Sequence, residues 1–185
     1  GRDVLDRTVY GGRLSILVGG AVGGISPLLG LAIGLVSGYY RKVDAVIMRF
    51  MDGLMAFPSL ILALALIAVL GASVQNVIIV ITIVSVPLVA RVVRASVLSL
   101  REQQFIDAAK ALGVPDWRIL MLHIAPNTLA VLMVQGTFVF ALAVIAEANL
   151  SFLGAGVPPT TPSWGNIMGQ GRTYLPLAFW VTFFP

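Results

Sequence analysis

The chain has 185 residues, of which 58% are hydrophobic and 11% charged, with a mean hydropathy of +0.98, whereas a soluble domain carries about 45–50% apolar and about 25% charged residues. A water-soluble fold of this length would lack the charges its exterior needs, so lipid is the expected solvent. The net charge of +4 does not point to nucleic acid, because the cations are scattered between apolar runs. The absence of cysteine excludes disulfides, thiolate metal sites and cysteine nucleophiles.

Charge-free intervals mark the membrane crossings. Nothing between Arg13 and Arg41 is charged, which predicts a first helical span over about residues 14–38. Within it Gly30, Gly34 and Gly38 recur every four residues, with further pairs at Gly19/Gly23 and Gly20/Gly24. This spacing lines small residues along one face as a packing seam. Gly53 to Ala90 is again charge-free but too long for one crossing at about 1.5 Å per residue. Its hydrophobicity breaks only at Gly71-Ala72-Ser73 with Gln75-Asn76, which predicts a turn between spans over 53–70 and 76–98. Pro27, Pro58 and Pro87 fall inside predicted spans and predict kinks or breaks there.

A fourth span covers about 128–150 and contains one acid, Glu147. An ionisable group inside an apolar span is a functional candidate, although a carboxylate near a span end can also reach water. The loop from Gly154 to Trp164, with Pro158, Pro159 and Pro162, cannot form regular helix, and Trp164 suits the headgroup level. The last apolar run, 173–185, is too short to cross as it stands, and the first residues carry neither an initiator methionine nor a signal pattern. The expectation is a fragment that lacks flanking spans. Long continuous runs exclude a β-barrel, leaving an all-α polytopic transmembrane helical bundle.

Orientation follows the cations. Placing the segment between spans three and four in the cytoplasm puts Arg41, Lys42, Arg49, Arg91, Arg94, Arg101, Lys110 and Arg118 inside and leaves Arg2, Arg7, Arg13 and Arg172 outside.

The cytoplasmic segment 101–127 is the most informative. Phe105, Ala108, Ala109 and Leu112 recur at helical spacing, with Glu102, Gln103, Asp107 and Lys110 elsewhere on the wheel, predicting a short amphipathic helix. Gly113 can close it in the left-handed conformation, and Pro115 prevents continuation. Asp116 is the expected cap of a second helix, Trp117 to His123, which Pro126 is expected to stop. The product is a helix-turn-helix knob. By composition it fits equally a helix that docks in a partner's groove and a helix lying at the headgroups.

Asp107-Ala108-Ala109, Gly113 and the terminal Ile124-Ala125-Pro126 resemble the Glu-Ala-Ala, Gly and Ile-x-Leu-Pro positions of the EAA loop of bacterial binding-protein-dependent ABC importers. Asp107 stands where that motif has Glu, Ala125 where it has Leu and His123 where it has Ile. Gly1-Arg2-Asp3-Val4-Leu5, Phe57-Pro58-Ser59-Leu60, Leu98-Ser99-Leu100-Arg101-Glu102, Leu150-Ser151-Phe152-Leu153-Gly154 and Pro162-Ser163-Trp164-Gly165 further resemble the second permease subunit of dipeptide, oligopeptide and nickel importers. The resemblance implies a multi-pass protein of the bacterial inner membrane. It also implies a second homologous permease, two cytoplasmic ATPase subunits and an extracytoplasmic substrate-binding protein as partners.

Within that resemblance, Ala108, Ala109 and Gly113 would form the close-fitting face and bend of an ATPase-coupling loop. Asp107, Lys110 and Arg118 would make contacts at its rim, and Pro126 would close it. Glu147 would face either the translocation path or its outer gate, or play a structural part. ATP would be used by the partner subunits: the chain has no Gly-x-x-x-x-Gly-Lys-Ser/Thr loop to cradle a nucleotide, so neither a cofactor of its own nor an enzymatic activity is expected. An intramembrane hydrolase using Ser26 or Ser85 with His123 is disfavoured by the different depths predicted for these residues, and no metal motif is present. A secondary transporter or channel is the remaining alternative, but it has no use for a docking knob.

Overall fold

The structure, a computed structural model, describes residues 4–185. The beginning of the Gly1-to-Leu5 motif and the cation Arg2 lie outside the described residues. Among the described residues every regular element is helical. α1 (Val4–Tyr39), α4 (Val74–Arg101) and the run Asp116–Phe152 are each long and apolar enough to cross a membrane, and α2 (Arg41–Met55) and α3 (Ser59–Leu70) meet the same test as one broken pair. Among the described residues two compact units are formed, one from residues 25–57 and 85–138, the other from residues 4–24, 58–84 and 139–185.

In the first unit the glycine seam has a specific partner. A Cβ on Gly30 would lie 2.6 Å from the Cβ of Val89; on Gly34, 2.7 Å from that of Val93; and on Gly38, 2.6 Å from that of Val97. Both series advance by four residues, so two helix faces of α1 and α4 mesh one turn at a time, and only glycine permits the approach. Val89, Val93 and Val97 are fully buried as a result. Gly20 and Gly24, expected to form a further seam, face open space, while Gly19 packs against Val144 and Phe140 in the other unit. A four-residue spacing aligns glycines on a face but does not supply a neighbour.

The prolines differ in effect. α1 and α4 continue through Pro27 and Pro87, whereas the span expected over 53–70 is interrupted. α2 ends at Met55, and Pro58 sits before α3 with φ −54° and ψ 127°. Proline pushes the residue before it out of the α region, and here no tight packing restores the helix. α2 itself is amphipathic. It is pinned to α4 by a two-pronged contact between Asp44 and Arg94, both half-buried, and by an exposed pair between Asp52 and Arg91.

In the second unit the turn at Gly71 takes φ +87°, open to glycine but strained for other residues. Ser73 Oγ accepts from the Asn76 backbone N–H at 3.1 Å as the cap of α4, and the Asn76 amide donates to the carbonyls of Leu70 (2.8 Å) and Gly71 (3.0 Å). The last apolar run, residues 173–185, is broken into short pieces. It makes a 3₁₀ turn at Arg172–Tyr174 and a short helix at Trp180–Phe183, with Pro176 between them removing a backbone donor.

Gly34→Leu is expected to lower the thermal midpoint of the full-length protein in detergent by the equivalent of about 1–3 kcal/mol of overpacking. Gly20→Leu, with open space around it, is expected to leave the midpoint unchanged or raised. Equal effects from the two would mean the α1–α4 seam does not control packing.

Candidate functional site

The knob begins where α4 ends. Arg101 is largely buried, and its guanidinium donates to the carbonyls of Gly38 (3.1 Å) and Tyr39 (3.3 Å), the last residues of α1. A cation on orphan helix-end carbonyls satisfies groups that would otherwise be bare and favours the negative pole of the helix dipole. The chain then turns into α5 (Gln104–Ala111), which packs on the returning segment Ile119–Ile124.

That packing decides which face of α5 remains free. Ile106 and Ala109 are buried, at 0% and 7% exposure, with Ile119, Leu120 and Ile124. Phe105, Ala108 and Leu112 point outward, Leu112 being 84% exposed. Ala109 is therefore not on one outer face with Ala108: it is the small residue that lets α5 lie close to the return. Ile106 is the core residue that the sequence reading missed, and its signal was present, since Ile106, Ala109 and Gly113 recur at helical spacing one position round from the chosen stripe.

Gly113 closes the helix as expected, with φ +72°. The Val114 N–H donates to the Ala109 carbonyl at 3.1 Å and the Gly113 N–H to that of Lys110 at 2.9 Å, the paired bonds of a Schellman ending. Asp107 and Lys110 form an exposed pair at 3.5 Å, and the Arg118 guanidinium lies 5.2 Å from the centre of the Trp117 ring.

Two expectations for the return are corrected. Asp116 does not cap the next helix; its carboxylate accepts from the Tyr39 hydroxyl at 2.6 Å, fastening the knob to the end of α1. Nor does Pro126 stop the chain. α6 (Asp116–Arg118) passes through a π-helical stretch, Ile119–Ile124, straight into α7 (Ala125–Phe152). The Ala125 N–H bonds back five residues to Leu120, which shifts the ladder just before the proline with no donor. The Asn127 side-chain amide donates to the His123 carbonyl at 2.6 Å. Proline at the start of a helix after such a shift breaks little.

Glu147 lies in the other unit and is 0% exposed. Its carboxylate accepts from Ser15 Oγ at 2.8 Å and from Ser151 Oγ at 2.7 Å, and Ser151 Oγ in turn accepts from the Val157 N–H at 3.2 Å. It is thus enclosed by hydroxyl donors rather than reaching water. The loop after α7 closes over this network. A side chain on Gly156 would collide with Ser151, and one on Gly165 with the Ala148 carbonyl. Ser163 caps α8 (Trp164–Gly171), and the Asn166 amide reaches the carbonyls of Val157 (3.1 Å), Pro158 (3.2 Å) and Thr161 (3.0 Å). Trp164 Nε1 donates to the Thr8 carbonyl at 3.0 Å, so the tryptophan is held by the protein itself. His123 Nδ1 faces the Arg118 carbonyl at 3.5 Å, and among the described residues no hydrogen bond joins it to Ser26 or Ser85.

Several helices long and apolar enough to cross a membrane, with a short helix-turn-helix knob between two of them, define a helical membrane protein. Residues 29–184 match the family described as binding-protein-dependent transport system inner membrane component, and the chain belongs to that family. It is 49% identical over 185 residues to a putative peptide transport system permease protein of Brucella suis biovar 1, covering all of this chain and 62% of that protein. It is 45% identical to a dipeptide transport system permease protein of Alkalihalophilus pseudofirmus and 40% identical to a glutathione transport system permease protein of Escherichia coli, covering all of this chain and 61% of each. The chain thus spans about three fifths of these relatives' length. Among solved structures it resembles a chain of the MetNI methionine ABC transporter in an inward-facing conformation, with a TM-score of 0.69 and 22% identity over 97% of this chain and 85% of that one. This likeness establishes the fold.

Glu147→Leu strands two buried hydroxyls and is expected to cost about 1–3 kcal/mol in thermal unfolding. Adding Ser15→Ala removes one of the stranded hydroxyls and is expected to recover part of the loss, whereas adding Ser151→Ala is expected to recover none, because it also strands the buried Val157 N–H. Loss of uptake from Glu147→Gln at unchanged abundance and midpoint would instead place this carboxylate on a transport path.

Proposed function

We propose that this chain is the membrane-spanning permease of an ATP-driven importer in the bacterial inner membrane, forming the path for peptides or similar small solutes. Its partners are a second homologous permease, two cytoplasmic ATPase subunits and an extracytoplasmic binding protein. ATP is hydrolysed by the ATPase subunits, and this chain binds no cofactor of its own. Family membership supports the transport role, and the relatives' names support the solute class.

The observation that carries the coupling role is the division of α5 into a buried face, Ile106 and Ala109, and a free face, Phe105, Ala108 and Leu112. A helix braced from behind can take a push without folding away. Ala108 leaves room for a partner surface, with Asp107, Lys110 and Arg118 placed around it for polar contacts. Gly113 and Pro126 shape the two ends of the knob and need not touch the partner. Force applied to α5 passes to α1 through Tyr39–Asp116 and to the joined ends of α1 and α4 through Arg101.

The test is uptake of a labelled dipeptide by the full-length permease reconstituted with its partners. Ala108→Phe is expected to leave insertion and thermal midpoint intact while cutting ATP-dependent uptake at least tenfold. Ala109→Phe is expected to lower the midpoint, because it wedges the knob open. Unchanged uptake with Ala108→Phe, or uptake that persists without ATPase subunits, would overturn the assignment.

A further inference from the structure

At the root of the knob the first unit contains a cavity of about 490 Å³. Four cations line it, Arg41, Lys42, Arg101 and Lys110, against a single carboxylate, Asp116. That carboxylate is already engaged by the Tyr39 hydroxyl, and Lys110 and Arg101 have Asp107 and Glu102 as exposed partners at 3.5 and 3.3 Å. Arg41 and Lys42 are exposed and make no ion pair among the described residues. Among the described residues, therefore, the cavity holds a surplus of positive charge, carried by Arg41 and Lys42.

Its depth is as informative as its charge. Tyr39 and Tyr40 form part of the wall, their rings edge to face at 5.1 Å. They end the charge-free run that begins after Arg13, and Arg41 and Lys42 are the first charges beyond it. Aromatic rings followed at once by cations at the end of an apolar span mark the headgroup level of a bilayer. The cation distribution puts this end of the span on the cytoplasmic side, where anionic lipids concentrate. Val43 adds an apolar edge suited to the start of an acyl chain.

We propose that this cavity binds the phosphate of an anionic phospholipid from the cytoplasmic leaflet, with Arg41 and Lys42 as its main ligands and Arg101 and Lys110 completing the cradle. Because Lys110 belongs to the knob and Arg101 to the end of α4, a bound headgroup bridges the knob to the spans. Lipid charge thereby becomes a control on how firmly the two are joined. The assignment needs the membrane orientation but not the ATPase-coupling reading.

The experiment uses the full-length permease purified with its partner subunits. Native mass spectrometry is performed after titration with phosphatidylglycerol or phosphatidylcholine in mixed micelles. Selective retention of phosphatidylglycerol by the wild-type chain is expected. Arg41→Gln and Lys42→Gln should each weaken it about fivefold, the factor expected from about 1 kcal/mol per cation near an anionic surface. Arg49→Gln, which removes an equivalent charge outside the cavity, should leave retention unchanged, and thermal midpoints in phosphatidylcholine should be the same for all variants. Equal retention by wild type and the Arg41/Lys42 double variant would overturn the proposal. So would displacement of the lipid by millimolar inorganic phosphate without preference between the two lipids, because the cavity would then take its phosphate from water. The readout is binding, so loss of lipid selectivity and loss of ATP-dependent uptake are separate failures.

Discussion

Inside a bilayer there is no water to take an unpaired backbone N–H or carbonyl, and at four places where a helix of this chain stops or its ladder shifts, side chains help to answer that demand. At Gly71 the Asn76 amide reaches two freed carbonyls and Ser73 holds a freed N–H. At the end of α1 the Arg101 guanidinium covers two carbonyls. Before Pro126 a shift to π-helical bonding and the Asn127 amide absorb the missing donor. At the end of α7, Ser151 and Asn166 gather the loop's backbone groups over the Glu147 carboxylate. The polar residues of this otherwise apolar chain are concentrated where the helices are interrupted, and that economy fixes where the chain can turn.

The same demand gives the knob its stiffness. A short amphipathic helix on a flexible loop would yield to a partner; this one is backed by Ile119, Leu120 and Ile124, ended by a Schellman turn and joined to α1 by Tyr39. The π-helical return makes the knob continuous with α7, so in the proposed function a push on α5 meets a long helix and not a hinge. The glycine–valine mesh of α1 and α4 has a related consequence. Backbones in such close contact slide poorly past one another, so α1 and α4 respond together to what happens at their shared end.

Glu147 shows how burial changes the meaning of a residue. In the sequence it is a lone acid in an apolar run, the usual mark of a functional group. In the fold two serines, one four residues on and one far away in α1, surround it with hydroxyl donors, and the loop that follows is anchored on the same serine. The Leu-Ser-Phe-Leu-Gly and Pro-Ser-Trp-Gly stretches then read as parts of one structure: Ser151 as relay, Gly165 as the point of close approach, Ser163 as cap and Trp164 as a tie to α1.

Local chemistry was legible from the sequence. The apolar runs, the turn at Gly71, the left-handed ending at Gly113 and the non-helical proline loop follow from residues acting on their immediate neighbours through solvent, missing donors and backbone sterics. What required the tertiary structure was every choice between equivalent faces or partners. Phe105 and Ile106 are both apolar on one short helix, and only the position of the returning segment buries the second. Gly20 and Gly34 both sit in four-residue glycine series, and only α4 gives one of them a neighbour. Asp116 could cap a helix locally, but Tyr39 reaches it across 77 positions of sequence. Such outcomes depend on what the rest of the chain brings within a few ångströms, and a linear pattern holds no record of that distance.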